Sequence, residues 1–467
     1  SSSTPSETPP SGPQRGGKIS IAVGADISNF DPIKGSNGGD HVMLWPVYDT
    51  LVKFTPDLQT KPGLAQHWEF TDAQTLVLYL RTGVTFQDGT PFNAEAVKFN
   101  FERINAEGST VSDLKVIEQV EVVNDSTVKL HLNQPSPAIL LALTDRGGMM
   151  VSPAAVQQYG DDYSQHPVGA GPFKMIKHEP GGGIEYEAFA DYWDKENVYL
   201  DNLSLKIIPE ENSRINALRS GDIDIAAAIS AQNMASLSKE SNIKLENRVS
   251  FLFLRMYVNA AIAPFDKKEV RLAVQHGINR QELIQAINFG EGEAANQAFP
   301  SGYWAHDGNV VIDYDPEKSK QLLKDAGLDT VSFKLLRGPD AYSTRLAEAI
   351  KGQLEKANIT VEIEGMEPNP AVQEMLVKKT YPAMIGNWTG RADPFLTVNS
   401  LYEKESFYNV GRVSTPELDS LLSEAAVTYD QDKRAELIGK ISQIAILDEG
   451  YEIPLFFQPV ITAMNNK

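Results

Sequence analysis

Apolar residues recur at every second position through Leu76, Leu78 and Leu80, and Val84 and Phe86 resume that face after a break at Thr82-Gly83, which predicts a strand. Asp88-Gly89 is a turn pair, because Gly tolerates positive φ, and Pro91 stiffens the exit. From Asn93 the period becomes helical. Asn93 is a cap, Glu95 lies in the first turn, and Val97, Phe101 and Ile104 share one face.

Residues 18–23 alternate as a strand, and the polar stretch 24–40 is long enough to be a binding element rather than a connector. A hairpin is expected around Asn124-Asp125 within residues 117–132, and Gly169-Ala170-Gly171-Pro172 turns the chain back toward a first lobe. A strand over 203–208, a helix over 213–219 closed by Gly221 and an extended run over 222–225 come next. Residues 251–258 form a strongly apolar strand, expected to be the first crossing between lobes.

Helix signals dominate beyond it. Asp266 with Glu269, and Asn279 with Glu282, read as capping boxes; Gly290 ends the second helix, and Asp315-Pro316 opens a third that Gly327 closes. Strands over 331–336, 360–363 and 382–388 then alternate with a helix marked by Leu346, Ile350 and Leu354 and another over 371–378. That alternation implies parallel pairing with right-handed crossovers, an α/β layer. Residues 451–463 are a last extended run, expected to return to the first lobe.

At 467 residues the chain exceeds one core, so two lobes or more are expected. A net charge of −20 argues against nucleic acid or an anionic membrane surface as partner. With no Cys there is no disulfide framework, thiolate nucleophile or Cys-based metal site. Residues 1–17 are mostly Ser, Thr, Pro and Gly without apolar periodicity, and read as a disordered tether. Extended at about 3 Å per residue, such a leash reaches up to about 50 Å.

In open parallel sheets ligands bind beyond the carboxyl ends of the strands. The loop after the third strand of the α/β layer contains Trp388, Gly390 and Arg391: an aromatic plane, a flexible residue and a guanidinium that can grip a carboxylate with two hydrogen bonds. The alternative is a core Trp beside a solvated Arg. Asp393 before Pro394 reads as the cap of a helix through Tyr402. Further candidates lie in loops. Arg146 is either a ligand contact or a partner for Asp145. Tyr408 and Asn409 follow exposed-loop propensity. Asn29 and Phe30 precede a turn at Asp31-Pro32, with Phe30 either packed or facing a ligand. The seven His residues form neither HExxH nor an obvious metal spacing, there is no G-x-S-x-G, and Gly181-Gly182-Gly183 reads as a hairpin tip.

Four segments carry a family resemblance: LRTGVTFQDGTPF from Leu80, residues 169–173, residues 270–283 and residues 388–394. Together the chain resembles the peptide/nickel class of ABC-transporter solute-binding proteins, family 5. The resemblance implies an α/β type II periplasmic-binding-protein fold, two lobes joined by a hinge, with a small extra domain inserted in lobe one. It maps lobe one to 18–48 plus 168–255 with 450–467 returning, the insert to 49–167 and lobe two to 256–449. It implies an extracytoplasmic monomer that captures a short peptide or peptide-like ligand and delivers it to ABC permease subunits, with no catalysis, cofactor or metal. A lipidated residue just before Ser1 would make residues 1–17 the tether of a lipoprotein.

In dipeptide binders of this family the Trp-Thr-Gly run is followed by an Asp that pairs with the peptide ammonium. Here Arg391 stands there, which favours an acidic, amine-blocked or differently oriented ligand, unless Arg391 pairs with a protein carboxylate. The resemblance places Arg146 in the region of a chelator-carboxylate contact, and Tyr408 and Asn409 on the pocket wall. Alternatives are a nickel chelate, opine or oligosaccharide binder, or an extracellular hydrolase using the same cleft.

Overall fold

The computed structural model describes residues 12–35 and 38–466. Strand β1 (Lys18–Val23) opens the main sheet. Two short strands follow, β2 (Val52–Phe54) and β3 (Thr60–Pro62). Next comes a separate four-stranded sheet of β4 (Ala65–Asp72), β5 (Thr75–Leu80), β6 (Ile117–Asn124) and β7 (Thr127–Leu132) in the order β4-β5-β7-β6. Between β5 and β6 runs the expected helix, Ala94–Ile104, with the Asn93 side chain accepting from Ala96 N–H at 3.0 Å. Leu76, Leu78, Val97, Phe101 and Ile104 are buried in one cluster, so this sheet and helix have a core of their own.

Gln87, two residues before that turn's Gly89, joins this module to the main sheet. Its Nε2 donates to the carbonyls of Val47, Gly171 and Phe173 at 2.8–3.1 Å, and its Oε1 accepts from Gly169 N–H at 3.2 Å. The 169–171 glycines are required by contact: a Cβ on Gly171 would sit 2.5 Å from the Val47 carbonyl carbon.

The chain returns to the main sheet with β8 (Phe173–Glu179), β9 (Gly183–Ala188), β10 (Asn202–Ile207) and β11 (Ile225–Ala226). β12 (Ile243–Val258) follows, longer than its apolar core predicts, and then the two-residue β13 (Glu293–Ala294). The second half contributes β14 (Val331–Arg337), β15 (Ile359–Gly365) and β16 (Ala383–Trp388), and β17 (Ile453–Asn465) closes the chain. One sheet runs through both halves in the order β15-β14-β16-β12-β17-β11-β1-β10-β9-β8, with β13 on β17.

β14 is parallel to β15 and β16, as strand-helix-strand alternation requires. β12 and β17 pair antiparallel along their length and belong to both halves, so they are the crossings. Their register slips between Val249 and Phe253, where Ser250 Oγ donates to Gln458 O at 2.8 Å instead of a regular ladder. The regular ladder between the two crossing strands is interrupted there.

Two local expectations need correction. Asp266 does not cap a helix: the helix Lys268–Gly277 begins after Lys267 with no side-chain cap, and Asp266 N–H instead closes a turn onto Ile262 O. Most of the expected tether, residues 1–11, lies outside the described residues, but its end is attached. Arg15 donates to Glu196 O and Val198 O and lies 5.0 Å from the Tyr199 ring centre.

Candidate functional site

Between the halves, beside the crossing strands, lies a cleft of about 1290 Å³. Its lobe-two wall is built at the carboxyl ends of β14 and β16 and by the loop bearing Phe407 and Tyr408. Trp388 is the last residue of β16 and is 6% exposed; the Tyr408 ring meets it edge-on at 4.8 Å. Gly390 takes φ +80°, turning the chain so that the Arg391 guanidinium stands 5.4 Å from the Trp388 ring centre. Arg391 N–H donates to Thr397 Oγ1, and Asp393 caps the helix Pro394–Tyr402 while pairing with Arg434 at 2.6 Å.

The lobe-one wall is the segment 227–230 with Glu211. Arg214 fixes this segment from behind, donating to the carbonyls of Ile208, Pro209, Ala227 and Ala228 at 2.9–3.1 Å. Burial disfavours ionisation of Glu211, but hydrogen bonds from Ser230 N–H and the Asn233 amide outweigh it and hold the carboxyl below its ordinary range.

Of the seven residues singled out from sequence, Trp388, Arg391 and Tyr408 line this cleft. The other four do not, each for a packing reason. Phe30 is 2% exposed in the lobe-one core with Met43, Leu44 and Tyr48. The Asn29 side chain accepts from Asp31 N–H and shapes the turn. Arg146 pairs with the buried Asp40 at 3.1 Å, while Asp145, the partner considered for it, bonds His41. Asn409 is turned into its own loop, donating to the carbonyls of Tyr402, Glu403 and Val413.

Sequence reasoning missed Arg337, Tyr257 and Glu211, all on the cleft. Arg337 was findable, because it ends a parallel strand as Trp388 does. No carboxylate among the described residues lies within 4.0 Å of Arg391, so no direct ion pair occupies it. Asp113, on the four-stranded module, feels it at longer range. Burial raises the Asp113 carboxyl above its usual value, Arg391 draws it back down, and Asp145 pushes it up. Among the described residues no acidic, His or Cys cluster could hold a metal ion, and no helix is long and apolar enough to cross a membrane.

The profile of the bacterial extracellular solute-binding proteins, family 5 (middle region), matches residues 59–409. The chain belongs to this family. Glutathione-binding protein GsiB of Salmonella choleraesuis is 28% identical over 462 residues, covering 95% of this chain and 90% of that one. The periplasmic binding protein DppA of Helicobacter pylori, solved with the peptide STSA, is 26% identical with TM-score 0.82, covering 97% and 95% of the two chains. The binding protein AgaA of A. tumefaciens R10, solved with agropinic acid, is 25% identical with TM-score 0.80, covering 96% and 94%. This family 5 protein thus has the two-lobed type II periplasmic-binding-protein architecture and belongs to a family of extracytoplasmic solute-binding proteins.

Proposed function

We propose that this protein captures a short peptide or peptide-like anionic ligand between its lobes and delivers it to the membrane subunits of an ABC importer. The observation that carries the ligand's charge is Arg391: a guanidinium on the cleft wall above an aromatic plane, with no carboxylate among the described residues within 4.0 Å. Trp388, Tyr257 and Tyr408 supply flat surfaces for ligand backbone and apolar groups. Capture follows from linkage. The ligand meets walls from both lobes together only when they close, and those extra contacts shift the hinge toward the closed form.

We take residues 49–167 as the inserted domain, which the separate four-stranded sheet and its core support. The Ser-, Thr- and Pro-rich composition of residues 1–11 supports a tether to a lipid anchor.

The test is binding of acidic and neutral peptides to the protein and to Arg391→Ala by calorimetry, after native mass spectrometry for retained cargo. Loss of a charge-assisted contact predicts an affinity loss of about 2 kcal/mol, roughly thirtyfold, for acidic ligands. Equal affinity of both proteins for every acidic ligand removes Arg391 from the site.

A further inference from the structure

We infer that Leu58, at the tip of the β2–β3 hairpin, is a positioning residue: it grips lobe two without touching ligand and stabilises the arrangement in which the cleft is assembled. That role rests on the reading of the protein as a two-lobed clamp, and it names what holds the lobes together apart from ligand.

The hairpin pairs Val52 with Pro62 and Phe54 with Thr60, leaving residues 55–59 as its loop. The loop is stiff. Thr55 N–H donates to Gln59 O and Leu58 N–H to Thr55 O, each at 2.8 Å, and Gln59 N–H donates to Thr55 Oγ1 at 3.0 Å. Leu58 takes φ +59°, a left-handed conformation that Gly or Asn adopts most readily. A bulky apolar residue in that conformation is an outlier, of the kind kept where a contact elsewhere offsets the local cost.

The contact is with the other lobe. Pro56 and Asp57 beside it are exposed, whereas Leu58 is half-buried. It packs against a cluster that includes Tyr303, Val398, Leu401 and Ile438 of lobe two together with the cleft residue Trp388. Leu58 itself is not among the residues lining the cleft, so its contact needs no ligand. A second tie has the same character. Tyr429 of lobe two bonds Ala73 O and Ser136 N–H on the four-stranded module, and it does not line the cleft either. Leu132 N–H donates to Gln74 O at 2.8 Å, which sets the loops bearing Ala73 and Ser136 side by side to receive it.

Burying the Leu58 side chain removes apolar surface from water only while lobe two stands against the hairpin. The gathered lobes therefore have a favourable free energy of their own, and a ligand has less to supply. Apparent affinity scales with the fraction of protein already competent to bind, whatever the ligand's chemistry. A residue that holds the lobes and a residue that touches ligand thus leave different signatures. The first changes all affinities by one factor; the second changes the preference among ligands.

The experiment compares the parent protein with Leu58→Asn, which suits the left-handed backbone but removes the apolar knob, and with Leu58→Met, which keeps it. Small-angle scattering gives the ligand-free radius of gyration, and calorimetry gives affinities for Glu-Ala and Ala-Glu, with Ala-Gln as the neutral member. Leu58→Asn should raise the ligand-free radius and weaken every peptide that binds by one common factor of about threefold to tenfold, while Leu58→Met keeps the parent's values. Leu58→Gly, which also relaxes the backbone, serves in its place should Leu58→Asn not fold. A radius or a set of affinities equal to the parent's, or a loss confined to the acidic or to the neutral peptides, overturns the role of Leu58 and leaves the proposed capture standing. If no peptide binds the parent, capture of peptides is what fails, and the ligand-free radius of Leu58→Asn still decides the role of Leu58.

Discussion

Glu452 offers the sharpest test of how the crossing strands are held. It immediately precedes β17, and its carboxylate lies 2.7 Å from the Nε of Arg255 on β12, with side chains 0% and 4% exposed. Arg255 also stacks on the cleft residue Tyr257 at 3.9 Å, and the Tyr402 hydroxyl is buried beside the carboxylate. Glu452→Ala leaves Arg255 charged, since a guanidinium does not deprotonate in a protein, and with no other carboxylate within 4.0 Å among the described residues. Breaking a buried pair in this way costs about 3–5 kcal/mol. For a chain of this size that is a fall in Tm of roughly 3–5 °C. Arg255→Met should cost less, because burial already pushes the Glu452 carboxyl up and, lacking Arg255, it can take a proton and become neutral. The double variant Arg255→Met/Glu452→Leu should recover most of the loss. Scanning calorimetry of the four proteins measures the cycle. A Glu452→Ala transition within about 1 °C of the parent, or a double variant no more stable than Glu452→Ala, refutes the reasoning.

Other consequences can be measured separately. Tyr429, on the lobe-two loop before the helix Gln431–Ser442, donates to Ala73 O, accepts from Ser136 N–H at 3.1 Å and packs edge-on against Phe70 at 4.7 Å, tying lobe two to the four-stranded module. Tyr429→Ala should favour the open form, raising the solution radius of gyration and the ligand dissociation rate, and an unchanged scattering profile and off-rate would contradict that role. Acid should loosen the lobe-one wall. The folded carboxyl of Glu211 lies below its ordinary value, so its contribution is complete above the ordinary Glu pKa and is lost as pH falls through the folded value. Glu211→Gln should therefore flatten the acid limb of the stability curve, read as Tm against pH, and a limb of unchanged slope counts against the assignment.

What could be read along the chain was what neighbouring residues decide. The caps at Asn93, Asn279, Asp315 and Asp393 all form as expected, because a cap links a side chain to an N–H two or three residues on. The alternation through β14, β15 and β16 prescribed parallel pairing, and that pairing placed Trp388 at a strand's carboxyl end. Asp266 is the exception that shows the limit: its residue type suits a cap, but the turn onto Ile262 takes its backbone first.

Partner choice at long range was decided by the tertiary structure alone. Arg146 and Asp40 are 106 residues apart and neutralise each other in a buried pair, which no local pattern announces. Phe30 went to the core and Asn409 into its own loop because burial and backbone satisfaction were available there. Arg337 looked like an ordinary strand residue until the fold set it on the cleft and left its Nε without an acceptor among the described residues. Hydrogen-bond periodicity and capping are short-range and written in order along the chain. Which charge meets which depends on how the loops close, and only the packed lobes specify that.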